Sequence, residues 1–276
     1  MSIFRIKKKL KALIKNVIKE ILSEPQMAYE LWKKTNIRPM GLEVVQYRPY
    51  DIADELYKNA VQETTKYVEA KMLDKPRYAM RTFLFDKIIP TLELGNGLML
   101  EFGVYKAQTI NYLARLRPDK VIHGFDSFEG LPEKWVVVPK GTFNLEGKLP
   151  EVEKNVILHK GWFQDTLPGF LEHYKEAVAF MHVDADLYSS CKYVLETLKQ
   201  RIVPGTVIQF DEYFNYPGWQ EGEFKAFQEF VNKYNIDYEY LGYVSRGYSV
   251  AVKIKSWGKE CIEQDDKGRN EKKRQL

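Results

Sequence analysis

Only two cysteines, Cys191 and Cys261, occur among the 276 residues, and neither stands in a CxxC pair. They are too few and too far apart for a disulfide scaffold or a cysteine-ligated zinc, and they fit a reducing compartment. Long apolar runs are missing too: no stretch approaches the roughly 20 residues that cross a bilayer. The N-terminus lacks the continuous apolar core of a secretory signal, because Lys7, Lys8, Lys9, Lys11, Lys15 and Lys19 interrupt it. A cytoplasmic protein is the expectation. Charge of one sign is scarce as well: the net charge is +4, and the basic excess sits in the first twenty-odd residues. The body therefore carries no nucleic-acid footprint. There is no internal repeat.

What is present is core material, with 45% hydrophobic and 14% aromatic residues. Ile3, Ile6, Leu10, Leu13, Val17 and Ile21 recur at helical spacing, so residues 3–22 read as an amphipathic basic helix. It could pack on the body or a second subunit as a homo-oligomer contact, or lie on a membrane surface. Residues 51–73 read as a helix with Ile52, Leu56, Ala60 and Val61 on its inner face. A further helical pattern runs near 76–89 and stops at Pro90.

From Gly97 onward, short apolar runs alternate with helical stretches. The runs at 98–102, 121–125, 155–158, 178–183 and 206–210 read as buried strands. Helices near 107–116, 166–174, 188–201 and 220–234 fall between or after them. This alternation predicts an α/β fold, Rossmann-like, with a parallel sheet and right-handed crossovers. Tyr238–Leu241 and Tyr248–Ile254 alternate more visibly and suit an antiparallel edge. Three regions result: a helical extension over 1–90, the α/β domain over 91–255, and a charged tail over 256–276 expected to be disordered.

In an open parallel sheet ligands sit beyond the carboxyl ends of the strands, so polar groups at those ends are the candidate site residues. The first strand runs into Glu101-Phe102-Gly103, a loose glycine turn rather than a GxGxxG fingerprint; Gln108 and Thr109 begin the next helix. The second ends at Asp126-Ser127, where a carboxylate can accept from two ribose hydroxyls or cap a helix. After the third come Trp162-Phe163-Gln164, whose rings could wall an adenine, and Asp165 or Thr166, which could cap a helix. The fourth and fifth end in Asp184-Ala185-Asp186 and Asp211-Glu212. Four carboxylates on one rim repel one another unless something offsets them, and a hard divalent cation with oxygen ligands would do so. Asp184, Asp211 and Glu212 are the best-placed ligand set. His182 reads as structural. The aromatics of Phe214–Trp219 could line an acceptor site or anchor the core.

With these motifs in order, the chain resembles the macrocin O-methyltransferase family. The matching stretches are Glu101–Val104, Phe125–Pro132, Gly161–Phe163 with Asp165–Pro168, His182–Tyr188 and Phe210–Tyr213. The resemblance implies a class I methyltransferase fold with a mostly parallel seven-stranded sheet, S-adenosylmethionine as methyl donor, and magnesium. It implies cofactor contacts at Glu101, Gly103, Tyr105, Thr109, Asp126, Ser127, Phe163 and Gln164, and metal ligands at Asp184, Asp211 and Glu212. One departure stands out: the last pair is Asp-Glu, where relatives often carry Asp-Asp or Asp-Asn.

The sulfonium methyl is already activated, so catalysis needs an in-line acceptor oxygen and a group that takes its proton. Asp186 or Asp184 is the candidate base. The expected partner is a sugar or glycosylated small molecule, with no nucleic acid. Two other readings remain: a same-fold enzyme acting on a membrane-associated glycan through residues 1–22, and a nucleotide binder without catalysis.

Overall fold

The computed structural model describes residues 51–92 and 95–258. The basic helix expected at 3–22 and most of the charged tail lie outside the described residues. The described residues from Ile52 to Gly258 belong to one compact unit.

Five parallel strands, running to one edge, make up most of the sheet. They are β2 (Leu98–Phe102), β3 (Ile122–Asp126), β4 (Val156–Lys160), β5 (Val178–Val183) and β6 (Ile202–Phe210). β7 (Asp237–Val244) and β8 (Val250–Ser256) add the antiparallel edge, with β8 paired to β6. With β1 the short strand Arg77–Tyr78, the order is β1-β7-β8-β6-β5-β2-β3-β4. The chain leaves β2 toward β3 and β4, then returns to β5 and β6 on the other side. That reversal opens a crevice beyond the ends of β2 and β5.

Among the described residues the sheet has eight strands rather than the seven expected. The extra one, β1 (Arg77–Tyr78), pairs parallel to β7 and lies in a stretch read as helix. Pro76 accepts from the Tyr243 amide and Tyr78 from Ser245, so the open edge of β7 recruits this segment. Helix α2 therefore starts only at Arg81 and runs to Ile88, and Pro90 follows in a short 3-10 turn.

Alternation along the strands sends side chains to two faces. Leu98, Leu100 and Phe102 of β2 join a core with α4 (Phe163–His173), α5 (Tyr188–Leu198) and α6 (Glu223–Lys233). Met99 joins the opposite core, under α2 and α3 (Gln108–Leu116). Each fully buried aliphatic side chain there contributes roughly 1.5–3 kcal/mol. α1 (Ile52–Lys71) seats only its second half: Ala60 and Thr64 are buried, and Tyr67 and Val68 pack on the core. Ile52, Leu56 and Val61, expected to face inward, are 77%, 49% and 48% exposed. Ile52 and Leu56 continue the buried stripe past the edge of the body, and Val61 lies off it. α4 starts earlier than expected, with Trp162 rather than Asp165 or Thr166 at its N-cap. Among the described residues no helix is long and apolar enough to cross a membrane.

Candidate active site

The turn after β2 has an unusual backbone. Gly103, Tyr105 and Ala107 all adopt positive φ, as do Phe128 after β3 and Asp186 after β5. Such conformations cost about 1–3 kcal/mol each in non-glycine residues and collect at functional sites. Gly103 is required sterically as well: a Cβ there would lie 1.8 Å from the Asp184 carbonyl oxygen. The ends of β2 and β5 are pressed together, with the Asp184 amide donating to Phe102 at 2.8 Å.

Asp126 holds this turn. Its Oδ2 accepts from the Val104 and Tyr105 amides, both at 2.8 Å, and its Oδ1 from Phe128 at 2.7 Å. Three of about four acceptor positions on the carboxylate are thus taken by its own loops. A contact to both hydroxyls of a ribose would require one of these amide bonds to yield.

Beyond these turns lies a cavity of about 790 Å³, within the usual range for small-molecule sites. Gly103, Tyr105, Thr109, Asp126, Ser127, Phe163 and Gln164 all line it. Glu101 is the exception among the expected cofactor residues. The pleat turns it away from the cavity, it is fully buried, and its Oε2 meets His182 Nδ1 at 3.1 Å. Burial pushes its carboxyl up. A direct cofactor contact does not fit that position.

The other end of the same cavity is acidic, and Asp184, Asp186, Asp211 and Glu212 line it. Their oxygens do not gather into the expected set of three. Asp184, Asp186 and Glu212 can place ligand atoms within 4.8 Å of one another, and so can His182, Asp184 and Asp211. Asp184 belongs to both groups, while Asp211 and Glu212 fall in different ones. The glutamate's longer side chain and its position one residue on carry its oxygens toward Asp186.

Asp211 is the most heavily supported of the four. Its Oδ1 accepts from Ser249 Oγ at 2.7 Å and lies 3.7 Å from His182 Nε2. Arg81 Nη1 binds its Oδ2 and also reaches Asp184 Oδ2 at 3.3 Å. Burial would raise the Asp211 carboxyl, but His182 and Arg81 hold it low. Burial would likewise lower the His182 ring, yet Asp211 and Glu101 on either side push it up to about 10. The histidine read as merely structural thus bridges a buried glutamate to the acidic rim. Asp184 shares only the Arg81 contact, and Asp186 and Glu212 make none with Arg81, His182 or Ser249. Burial raises Asp184 and Glu212 well above the usual carboxylate range and Asp186 to about 7. Glu212 Oε2 is buried without a hydrogen-bond partner.

Glu223, the first residue of α6, ties the two acidic turns together. Its fully buried carboxylate accepts from the Ala185 amide at 3.0 Å and the Glu212 amide at 3.1 Å. Sequence reading missed it, as it missed Arg81. A glutamate after Gly222 at a helix start was the only available signal. The aromatic loop also resolves: Phe214, Tyr216 and Trp219 are buried in the core, so they are anchors. Trp135 and Phe143, unremarked in the sequence, line the cavity instead.

A glycine turn and a cavity at the reversal point of a sheet so ordered define a Rossmann-like fold of the class I methyltransferase type. The crystal structure of the calicheamicin methyltransferase CalS11 has this fold: it is 20% identical, with a TM-score of 0.50, covering 79% of this chain and 99% of that one. A family model described as macrocin-O-methyltransferase matches residues 13–241. The chain belongs to that family. A relative from Streptomyces olivaceus, an 8-demethyl-8-(2,3-dimethoxy-alpha-L-rhamnosyl)-tetracenomycin-C 4'-O-methyltransferase, is 28% identical over 172 residues. That match spans 53% of this chain and 61% of the relative.

Proposed function

We propose that the protein transfers the methyl group of S-adenosylmethionine to a hydroxyl of a sugar carried on a small molecule. The observation that carries this reading is one cavity with two unlike ends. At one end strained backbone turns, Ser127, Phe163 and Gln164 suit a nucleoside-bearing donor; at the other, carboxylates face the same space. Family membership supports the methyl donor, and the rhamnosyl acceptor named for the relative supports a sugar.

The acidic end suits a hard divalent cation such as magnesium. Its donors are carboxylate oxygens, and Glu212 Oε2 is buried with no partner of its own. Asp184 with Asp211, or Asp184 with Asp186 and Glu212, would hold the ion. The chemistry it supplies is orientation of the acceptor hydroxyl and stabilisation of the charge developing on its oxygen. Asp186 faces the cavity from a left-handed backbone and is the group placed to take the hydroxyl proton. Trp135 and Phe143 offer apolar faces to the acceptor.

The test is calorimetric titration of S-adenosylmethionine with and without magnesium, followed by turnover on glycosylated acceptors. Absence of donor binding sinks the proposal. Donor binding with magnesium-independent turnover removes only the metal role.

A further inference from the structure

The acidic end already holds one cation, and it belongs to the protein. Arg81 Nη1 bridges Asp184 on the turn after β5 and Asp211 after β6, both through Oδ2. These two carboxylates also stand, with His182, in one of the two groups able to hold a metal. We infer that Arg81 and a divalent cation compete for one seat, so that Arg81 is a built-in counter-ion which cation binding displaces into the cavity. This rests on the metal reading above and adds a residue that works against the ion.

Three observations support it. First, the guanidinium is permanently charged and donates only, so it can answer the repulsion between Asp184 and Asp211 whenever no ion does. Second, Arg81 is the first residue of α2, where the positive end of the helix dipole disfavours a cation. Its own helix therefore does not favour the charge there, and the two carboxylates do. Third, the side chain is 37% exposed and lines the cavity. It can swing aside without opening the core.

The exchange is also favoured by charge. One guanidinium faces four carboxylates, and it reaches only the Asp184–Asp211 pair. Glu212 Oε2, 92% buried as a residue at 8% exposure, is left without a partner. An ion held by Asp184 and Asp211 needs the space that Nη1 fills, and it brings a second positive charge toward Asp186 and Glu212. His182 and Ser249 stay on the Oδ1 side of Asp211 and keep that carboxylate in place during the exchange.

The experiment titrates Mn2+ into the full chain and into Arg81→Met and Arg81→Lys, without donor or acceptor, by calorimetry and electron paramagnetic resonance. Arg81→Met is expected to bind Mn2+ at least ten-fold tighter than the parent. Arg81→Lys, which keeps the charge on a flexible stem but loses the planar fork, is expected to fall between them. In the parent, Mn2+ should speed labelling of Arg81 by phenylglyoxal, read by peptide mapping, because displacement exposes the guanidinium. Tight binding by Arg81→Met alone also supports the competition and makes Arg81 the seat's standing occupant. Equal or weaker binding by Arg81→Met, or labelling of Arg81 unchanged at Mn2+ concentrations that saturate a parent shown to bind the ion, overturns the inference while leaving the metal reading intact. No Mn2+ binding by any of the three proteins overturns both.

Discussion

The two ends of the cavity are built on opposite principles. At the donor end the carboxylate that shapes the site is already engaged, with Asp126 accepting three backbone amides and Gly103 wedged against the end of β5. At the acidic end Glu212 Oε2 has no partner, and burial lifts three carboxylates above their usual range. The first end stores its strain in the backbone and can exist without a ligand. The second stores it as charge, which a bound cation would relieve. Substitutions should therefore act differently at the two ends: on folding and donor binding at one, on turnover at the other.

The largest effect is expected at Gly103. Gly103→Ala drives a Cβ into the Asp184 carbonyl, and such an overlap with backbone should cost about 4 kcal/mol or more. Thermal denaturation should show a large loss of melting temperature, and calorimetry a loss of donor binding. Near-normal stability would break the claim that this turn is sterically fixed.

Asp211→Asn should behave in the opposite way. It keeps the shape of the side chain but removes the charge shared by His182, Ser249 and Arg81. Magnesium-dependent turnover should fall by about 100-fold or more, while affinity for S-adenosylmethionine changes less than about three-fold, under 1 kcal/mol. A comparable loss in donor affinity would erase the distinction between the ends.

Glu223→Gln tests the link between the two acidic turns. The amide can accept from one of the two backbone N–H groups and presents a donor to the other. The cost in stability should be about 1–3 kcal/mol, with turnover lowered and donor affinity retained. Urea denaturation and steady-state kinetics on the same preparation would check both.

The smallest effect lies outside both ends. His123 Nδ1 and His159 Nε2 lie 3.0 Å apart between β3 and β4. Burial, then the neighbouring His159, lowers His123 to about 4; burial also lowers His159. The unfolded chain takes up protons near pH 6.5, whereas the folded His123 resists them until about 4. This contribution is therefore complete above pH 6.5 and lost as pH falls toward 4. Allowing for solvent screening, it amounts to about 2 kcal/mol. Glu223, which burial raises to about 8, acts in the opposite sense, so the readout is the difference between the parent and His123→Phe. That variant should lose less stability than the parent between pH 7 and 4.5. Parallel melting curves would show that the pair does not titrate in this window.

The sequence by itself determined the alternation of strands and helices, the family, and most of the cavity lining. These are written in short local patterns: apolar runs of strand length, a glycine after the first, acids after the fourth and fifth. Once the strands are parallel, those acids must share a rim, and Asp184 and Asp211 follow without further information. Only the tertiary structure decided which acids group together, because that depends on side-chain length and turn direction beyond the strand ends. It moved Glu101 out of the cofactor contacts, since one step of pleat sends a residue to the other face. It also supplied Arg81, which lies 103 residues from Asp184 and 130 from Asp211. An arginine at a helix start gives no local sign of its partners. Its role arises only where a pair forming at the edge of β7 delays α2, whose first residue then meets the acidic rim.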